Sequence, residues 1–240
     1  MHRSGRGQGA TGAEQGATTG AKRGAMGGEQ SATGADLKAR AGRAARSVAA
    51  FAAALGMSAC ASLGGGGPAP DIYDLTAPSA FEAVGGARTQ AQLLVPVPTA
   101  ISALATSRVV VRPSAAQIAY FPATTWSDEL PALVQVKLIR AFENAGKARA
   151  VGRPGESLAI DFQVIVDIRA FELDLASGRT AYVALGVKLL DDRSGTVRAS
   201  RVFEARVPAA SDSPADAIAA LDAAASQAFT AIVAWTASTL

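Results

Sequence analysis

Few residues in this 240-residue chain have side chains that could do chemistry. The one cysteine, Cys60, lies between small residues, at the end of an apolar run and just before the glycines at 64–67. The one histidine is His2, so no histidine follows Cys60 to act as a base or metal ligand. Zinc sites and Ser-His-Asp or Cys-His arrangements are thereby excluded after Cys60. The carboxylate pair Asp191-Asp192 falls in an expected hairpin turn, where polar residues are common without any catalytic role. From this inventory we expect that the protein is not an enzyme and binds no cofactor or metal.

The residues before Cys60 have the three parts of an export signal. Four basic residues between positions 38 and 46 precede the apolar run Val48 to Met57, and the small residues Ser58 and Ala59 follow it. A bilayer-spanning helix needs roughly 20 apolar residues, so this run is too short to be a lasting span. Ending such a signal at a cysteine resembles the bacterial lipobox, here Met57-Ser58-Ala59-Cys60. That resemblance implies cleavage before Cys60 and acylation of its sulfur and amino group, whereas a buried or free thiol is the alternative.

The composition divides the chain into four parts. Residues 1–36 are a low-complexity leader with too few large apolar side chains to fold, and residues 37–59 are the signal peptide. Residues 60–70 hold the lipidated cysteine and a Gly/Pro tether, and residues 71–240 form a single domain. Two or three acyl chains anchor a protein stably, at about 0.8 kcal/mol per buried CH₂. Translation could begin at Met1 or at Met26, and the sequence leaves both open.

Charge is distributed unevenly along the chain. The formal net charge is +3, but eight basic and three acidic residues precede Cys60, which leaves fifteen basic and seventeen acidic residues after it. The mature part is therefore slightly acidic, which argues against a nucleic-acid partner. With a single cysteine, no intramolecular disulfide can form.

Apolar periodicity predicts strands and two helices. The run SRVVVRPS predicts a strand buried on both faces. Ser127 is a plausible N-cap of a helix that ends at Gly146, and Ser213 with Pro214 predicts the start of a second, longer helix. In the longer helix an apolar stripe recurs at helical spacing, at Ile218, Leu221, Ala225, Phe229, Ile232 and Trp235 or Thr236.

Between the two helices, alternation predicts three consecutive strands. Even positions from Leu158 to Ile168 are apolar, with Phe162 expected in the core, and odd positions from Ala181 to Leu189 repeat the pattern. A third strand covers Val197 to Val207, and short turns between the strands make them antiparallel neighbours. The expected fold is α+β: a mostly antiparallel sheet with two amphipathic helices packed on one face, in the order β-α-β-β-β-α.

Three aromatic residues precede the first helix. Tyr120, Phe121 and Trp126 share a segment with Pro122 and two threonines, which favours a loop. Aromatic rings on such a loop could anchor a partner protein, but aromatic residues dominate cores as well. Both interpretations stay open for each ring.

Several stretches together resemble the ABC-type transport auxiliary lipoprotein family. They are the mature start CASLGGGGPAPDIYDLTAP, the strand SRVVVRPS, the segment IAYFPATTWSDELPALVQVKLIRAFENAG and the run RPGESLAIDFQVIVDIRAFELD. The most specific combination is Tyr120, Trp126, Ser127, Asp128 and Pro131 ahead of an amphipathic helix. None of these positions is catalytic in the family.

The resemblance implies a role in lipid transport. Members are periplasmic partners of MCE-type (mammalian cell entry) systems, including the paraquat-inducible branch. This chain would dock onto an MCE-domain protein and an ABC permease and ATPase, anchored in the membrane through acylated Cys60. Ala61 after the cysteine favours the outer membrane by the usual sorting rule, and whether the domain binds lipid itself stays open. The alternative function is an envelope lipoprotein that regulates cell-wall synthesis or acts as a structural tether.

Overall fold

The computed structural model describes residues 69–81, 88–157 and 159–240. Cys60, the leader, the signal peptide, most of the tether and Leu158 lie outside the described residues. The strands of the described part are β1 (Asp71–Tyr73), β2 (Gln92–Leu94), β3 (Thr99–Ala100), β4 (Arg108–Ser114), β5 (Gln117–Trp126), β6 (Ala150–Gly152), β7 (Phe162–Asp174), β8 (Thr180–Asp191) and β9 (Thr196–Pro208). The helices are α1 (Leu130–Ala145), between β5 and β6, and α2 (Pro214–Thr239), after β9.

The three strands predicted from alternation form the antiparallel centre of the sheet. β8 lies between β7 and β9, with Ile168 opposite Leu185 and Leu185 opposite Phe203. The predicted stripe of β8 is buried along its whole length, from Ala181 to Leu189. These antiparallel pairings confirm the predicted meander. One face of each strand is apolar and packs against another layer.

The other edge of β7 is covered by three strands that follow one another in the sequence. Residues of β2, β3 and β4 pair in parallel with positions 162–163, 167–168 and 172–174 of β7, respectively. Pro96 and Pro98 lie in the irregular stretch between β2 and β3, as expected of residues that cannot donate to a ladder. The sheet is mixed but largely antiparallel. Five of its strands (β1, β2, β3, β5 and β6) were absent from the element order predicted from the sequence.

β7 changes its facing part-way along. The register with β8 shifts between Ile168 and Ala170, so Arg169 is the extra residue of a bulge. Before the bulge Val166 and Ile168 face the core, and after it Phe171 and Leu173 take that side. Phe162, which was expected in the core, is only half-buried at the start of β7 and packs against the edge of the core cluster.

The two helices differ in whether a nearby serine caps the first turn. α2 begins as predicted: the Ser213 hydroxyl oxygen accepts a hydrogen bond from the Asp216 N–H at 3.2 Å, ahead of Pro214. α1 begins instead after Glu129, which makes no side-chain cap, so the N-cap predicted at Ser127 is wrong. The Ser127 hydroxyl donates to Asp74 instead, at 3.0 Å. α1 does end at Gly146, whose φ of 59° is left-handed.

Both helices pack on one apolar layer. Buried residues of α1 and α2 form a single cluster with the inward residues of β4, β7, β8 and β9, which confirms the α+β fold class. The predicted stripe of α2 is buried from Ile218 to Thr236, with Trp235 partly buried. α2 is also long and apolar enough to span a membrane by length and composition alone, but 56% of its most apolar window is buried inside the protein, as in the core helix of a soluble domain.

Candidate partner-binding surface

Tyr120 is held at its hydroxyl and on one face of its ring. Its hydroxyl donates a hydrogen bond to the Ala103 carbonyl oxygen at 3.2 Å, and the Arg108 guanidinium lies 3.6 Å from the ring centre. The ring is partly buried and faces Val110 of β4 in the ladder. Tyr120 therefore ties the segment before β4 to the sheet while it leaves part of its ring accessible.

Phe121 opens a bulge in β5. Arg108 pairs with Thr125 and Val110 pairs with Tyr120, so two steps along β4 oppose five along β5. The extra residues carry Pro122, which cannot donate to a ladder, and Ala123, whose φ is 47°. The expectation of a loop is therefore wrong for the segment as a whole, since it is a strand, although Pro122 and Ala123 protrude from it and are exposed.

Trp126 belongs to the core. Its side chain is 3% exposed, and its ring lies edge to face against Phe171 with 5.7 Å between ring centres. The backbone N–H of Trp126 donates to the Ser107 carbonyl oxygen at 2.7 Å. Of the two interpretations that the sequence left open for this ring, the structure favours the core.

A polar cluster connects α1, and the residues just before it, to Asp74 directly after β1. The Asp74 carboxylate accepts hydrogen bonds from the Lys137 ammonium at 2.6 Å and the Ser127 hydroxyl at 3.0 Å. Burial disfavours the charged form of Asp74, but these bonds outweigh it and hold the pKa of this carboxyl below its ordinary value. The Lys137 side chain is 6% exposed, so Asp74 supplies the counter-charge of a buried cation.

The sheet face opposite the helices carries a buried ion pair. Arg112 of β4 binds both carboxylate oxygens of Glu172 through Nε and Nη2, the latter at 2.9 Å, and Glu172 is 3% exposed. Asp174 lies two residues after Glu172 on β7, and its carboxylate oxygen is 3.8 Å from Nη1 of Arg206 on β9. Hydrogen bonds from Ser177 outweigh burial and lower the pKa of Asp174. The sequence analysis missed this cluster, although a glutamate that interrupts an apolar strand was its visible signal.

A groove crosses the same sheet face nearer the turn between β8 and β9. It has a volume of about 440 Å³ and is lined by Thr99, Asp167, Arg169, Gly186 and Lys188, among others. A Cβ atom at Gly186 would lie 2.7 Å from Arg169 Nε, so glycine makes room for the arginine to lie flat across the sheet. Arg169 in turn lies 3.4 Å from Asp167. The groove is lined by charged and aliphatic residues together, and none of its lining residues makes a nucleophile–base pair.

Within the described residues, no group of three or more His, Cys, Asp or Glu side chains is placed to hold a metal ion. The polar groups described above are engaged in ion pairs, caps and hydrogen bonds between elements. Such an arrangement can bind a partner through shape, charge and hydrogen bonds. Cys60, the predicted lipidation site, lies outside the described residues.

Comparison with known protein families shows to which family the chain belongs. A family model described as "ABC-type transport auxiliary lipoprotein component" matches residues 73–233, from β1 to near the end of α2. The chain belongs to this family. The resemblance found in the sequence is thus confirmed, and the family is that of a transport component, not of an enzyme.

Other proteins resemble this chain in sequence, in fold or in both. It is 35% identical over 175 residues to an uncharacterized protein of Bradyrhizobium diazoefficiens, a match that covers 72% of this chain and 47% of the relative. The chain therefore spans about half the length of that relative. The crystal structure of a Xanthomonas campestris protein is 30% identical with a TM-score of 0.59, covering 70% of this chain and 92% of that one. A further crystal structure of an uncharacterized protein, 17% identical with a TM-score of 0.55, covers 69% of this chain and 97% of its own and has the same fold.

Proposed function

We propose that this chain is a membrane-anchored periplasmic lipoprotein that acts as the docking subunit of an MCE-type ABC system for lipid transport across the envelope. The observation that carries the proposal is the family match over residues 73–233, which includes nearly the whole folded domain. The partners are an MCE-domain protein and the ABC permease and ATPase. ATP hydrolysis belongs to the ATPase, and this chain contributes binding.

Anchoring is assigned to Cys60. The export signal before it and the glycines after it support an acylated N-terminus on a flexible tether, at the periplasmic face of the envelope and preferentially in the outer membrane. A tethered domain stays close to a membrane-bound partner and so binds it at a high effective concentration. The anchor therefore strengthens docking without adding any contact.

Docking is assigned to the surface around the β5 bulge. Tyr120 and Phe121 are partly buried, and Pro122 and Ala123 are exposed beside them, which together give a largely apolar surface patch. Rings that are already fixed in place lose little entropy when a partner covers them. Trp126 is a core residue and takes no part in this contact.

Deletion and rescue in the native host test the transport role. Loss of the gene should alter the phospholipid composition of the two membranes, and the wild-type chain should restore it. Cys60→Ala should be released from membranes, lose the acyl mass and fail to rescue at native expression. Unchanged phospholipid distribution in the deletion strain would contradict a role in lipid transport, and membrane retention of Cys60→Ala with its acyl mass intact would contradict the anchor.

A further inference from the structure

The last strand of the sheet has a free edge. β9 pairs with β8 along its length, and within the described residues no other strand pairs with it. Its first half is exposed on both faces, with Val197 and Val202 at 53% and 40% exposure. A strand of 13 residues with one unpaired edge is a ready template for another strand.

The ladder shows which backbone groups reach that edge. The Ala209 N–H donates to the Arg179 carbonyl oxygen at 2.9 Å, in register with the pair Thr180 and Pro208. Because hydrogen-bonded pairs alternate along an antiparallel ladder, the odd-numbered residues of β9 from Ala199 onward bond to β8. The even-numbered ones direct their N–H and C=O groups outward: Ser200, Val202, Glu204 and Arg206. Pro208 falls in the same outward set, where its missing N–H removes no bond to β8.

Charge indicates what could pair there. β9 holds Arg198, Arg201 and Arg206 against a single acid, Glu204. Arg201 is exposed and has no carboxylate partner within the described part of the chain; its guanidinium lies 5.2 Å from the Phe203 ring. A second copy of β9 would bring the same excess of arginine to the edge, which opposes self-pairing. An acidic strand would place carboxylates beside Arg201.

We propose that the free edge of β9, from Ser200 to Arg206, binds an extended acidic segment of a partner protein as an added strand of the sheet. Main-chain hydrogen bonds to the outward groups of β9 supply affinity, and side chains at alternate positions supply selectivity. Carboxylates contact Arg201 on the helix side, and apolar side chains contact Val202 on the other side. The inference stands on β9 alone and does not rest on the proposed transport role.

The test uses the full-length chain in detergent and two peptides of equal length. One peptide alternates glutamate with valine, and its matched control alternates lysine with valine. Hydrogen exchange measured by mass spectrometry should show slower exchange in β9 with the glutamate peptide and no change with the lysine peptide. Arg201→Glu should weaken binding at least about fivefold, since it reverses a charge at the contact. Arg140→Glu, which reverses an exposed charge on α1, should leave binding unchanged.

Val202→Pro tests the backbone separately from the charge. It removes an outward N–H while it leaves the bonds of β9 to β8 in place, so protection by the glutamate peptide should be lost although the protein stays folded by circular dichroism. Three results would overturn the proposal: no protection of β9 by the glutamate peptide at millimolar concentration, equal binding of both peptides, or peptide-free protection of β9 that grows with protein concentration. The last of these would assign the edge to a second copy.

Discussion

Trp126 at the end of β5 packs edge to face against Phe171 of β7, with 5.7 Å between ring centres and 86° between ring planes. Both rings are buried, at 3% and 1% exposure. The contact joins the strand that carries the exposed bulge to the centre of the sheet. The bulge at Pro122 and Ala123 thus projects from a fixed base, with Phe121 beside it only partly buried.

Truncation of Trp126 should destabilise the fold. Trp126→Ala should lower the free energy of unfolding by about 3–5 kcal/mol, because it leaves a cavity beside Phe171. Phe121→Ala, at a half-buried ring, is the matched control and should cost clearly less. Urea denaturation of both variants measures the difference; equal losses would mean that Trp126 is not the more deeply packed ring.

Removal of one partner of the ion pair between Arg112 and Glu172 should destabilise the protein more than removal of both. Arg112→Met leaves a carboxylate buried without its partner and should cost about 3–5 kcal/mol of unfolding free energy. Adding Glu172→Leu should restore most of that loss, since two apolar side chains can replace a buried pair. A double-mutant cycle by chemical denaturation measures this, and a double variant as unstable as Arg112→Met would refute the pairing argument.

Asp74 should make stability depend on acid pH. Its pKa in the folded protein lies below the ordinary value of 3.8, so its contribution is fully present above that value and is lost as pH falls through the folded pKa. Melting temperatures measured from about pH 6 to about pH 2 should fall less steeply for Asp74→Asn than for the wild type. Identical slopes would show that the bonds from Lys137 and Ser127 do not stabilise the carboxylate.

Thr236 offers a stabilising substitution. Its side chain is 1% exposed, and its hydroxyl has no hydrogen-bond partner within the described residues. Thr236→Val replaces the hydroxyl with a methyl group of similar shape and should raise the free energy of unfolding by about 1 kcal/mol. Thermal unfolding measures it, with Thr230→Val as the control, because the Thr230 hydroxyl does donate to the Ser226 carbonyl oxygen at 2.8 Å. A less stable Thr236→Val would indicate a partner for that hydroxyl.

Sequence patterns predicted the elements whose causes are local. The cap at Ser213 and the end of α1 at Gly146 depend on neighbouring residues, and the β8 stripe depends on strict alternation. Ser127 was misassigned because its hydroxyl bonds to Asp74, a contact 53 residues apart in sequence that no local pattern shows.

The β5 segment shows the same limit for the candidate surface. Pro122 argued for a loop, but the strand accommodates it in a bulge, and that bulge exists only because β4 is the partner. The facing of Trp126 follows from this register, so its burial could not be predicted from the spacing of the aromatic residues. The ion pair between Arg112 and Glu172 depends likewise on the pairing of β4 with β7.

The central claim is that this auxiliary lipoprotein docks onto an MCE-type transporter, and affinity purification from native membranes tests it most directly. A tagged wild-type chain should co-purify with an MCE-domain protein and an ABC permease and ATPase, identified by mass spectrometry. Phe121→Ala should reduce the recovery of all three, whereas Arg153→Ala, at an exposed site distant in sequence from the bulge, should not. Recovery of cell-wall synthesis enzymes in place of the transporter, or of no partner from membranes that contain the transporter, would contradict the account.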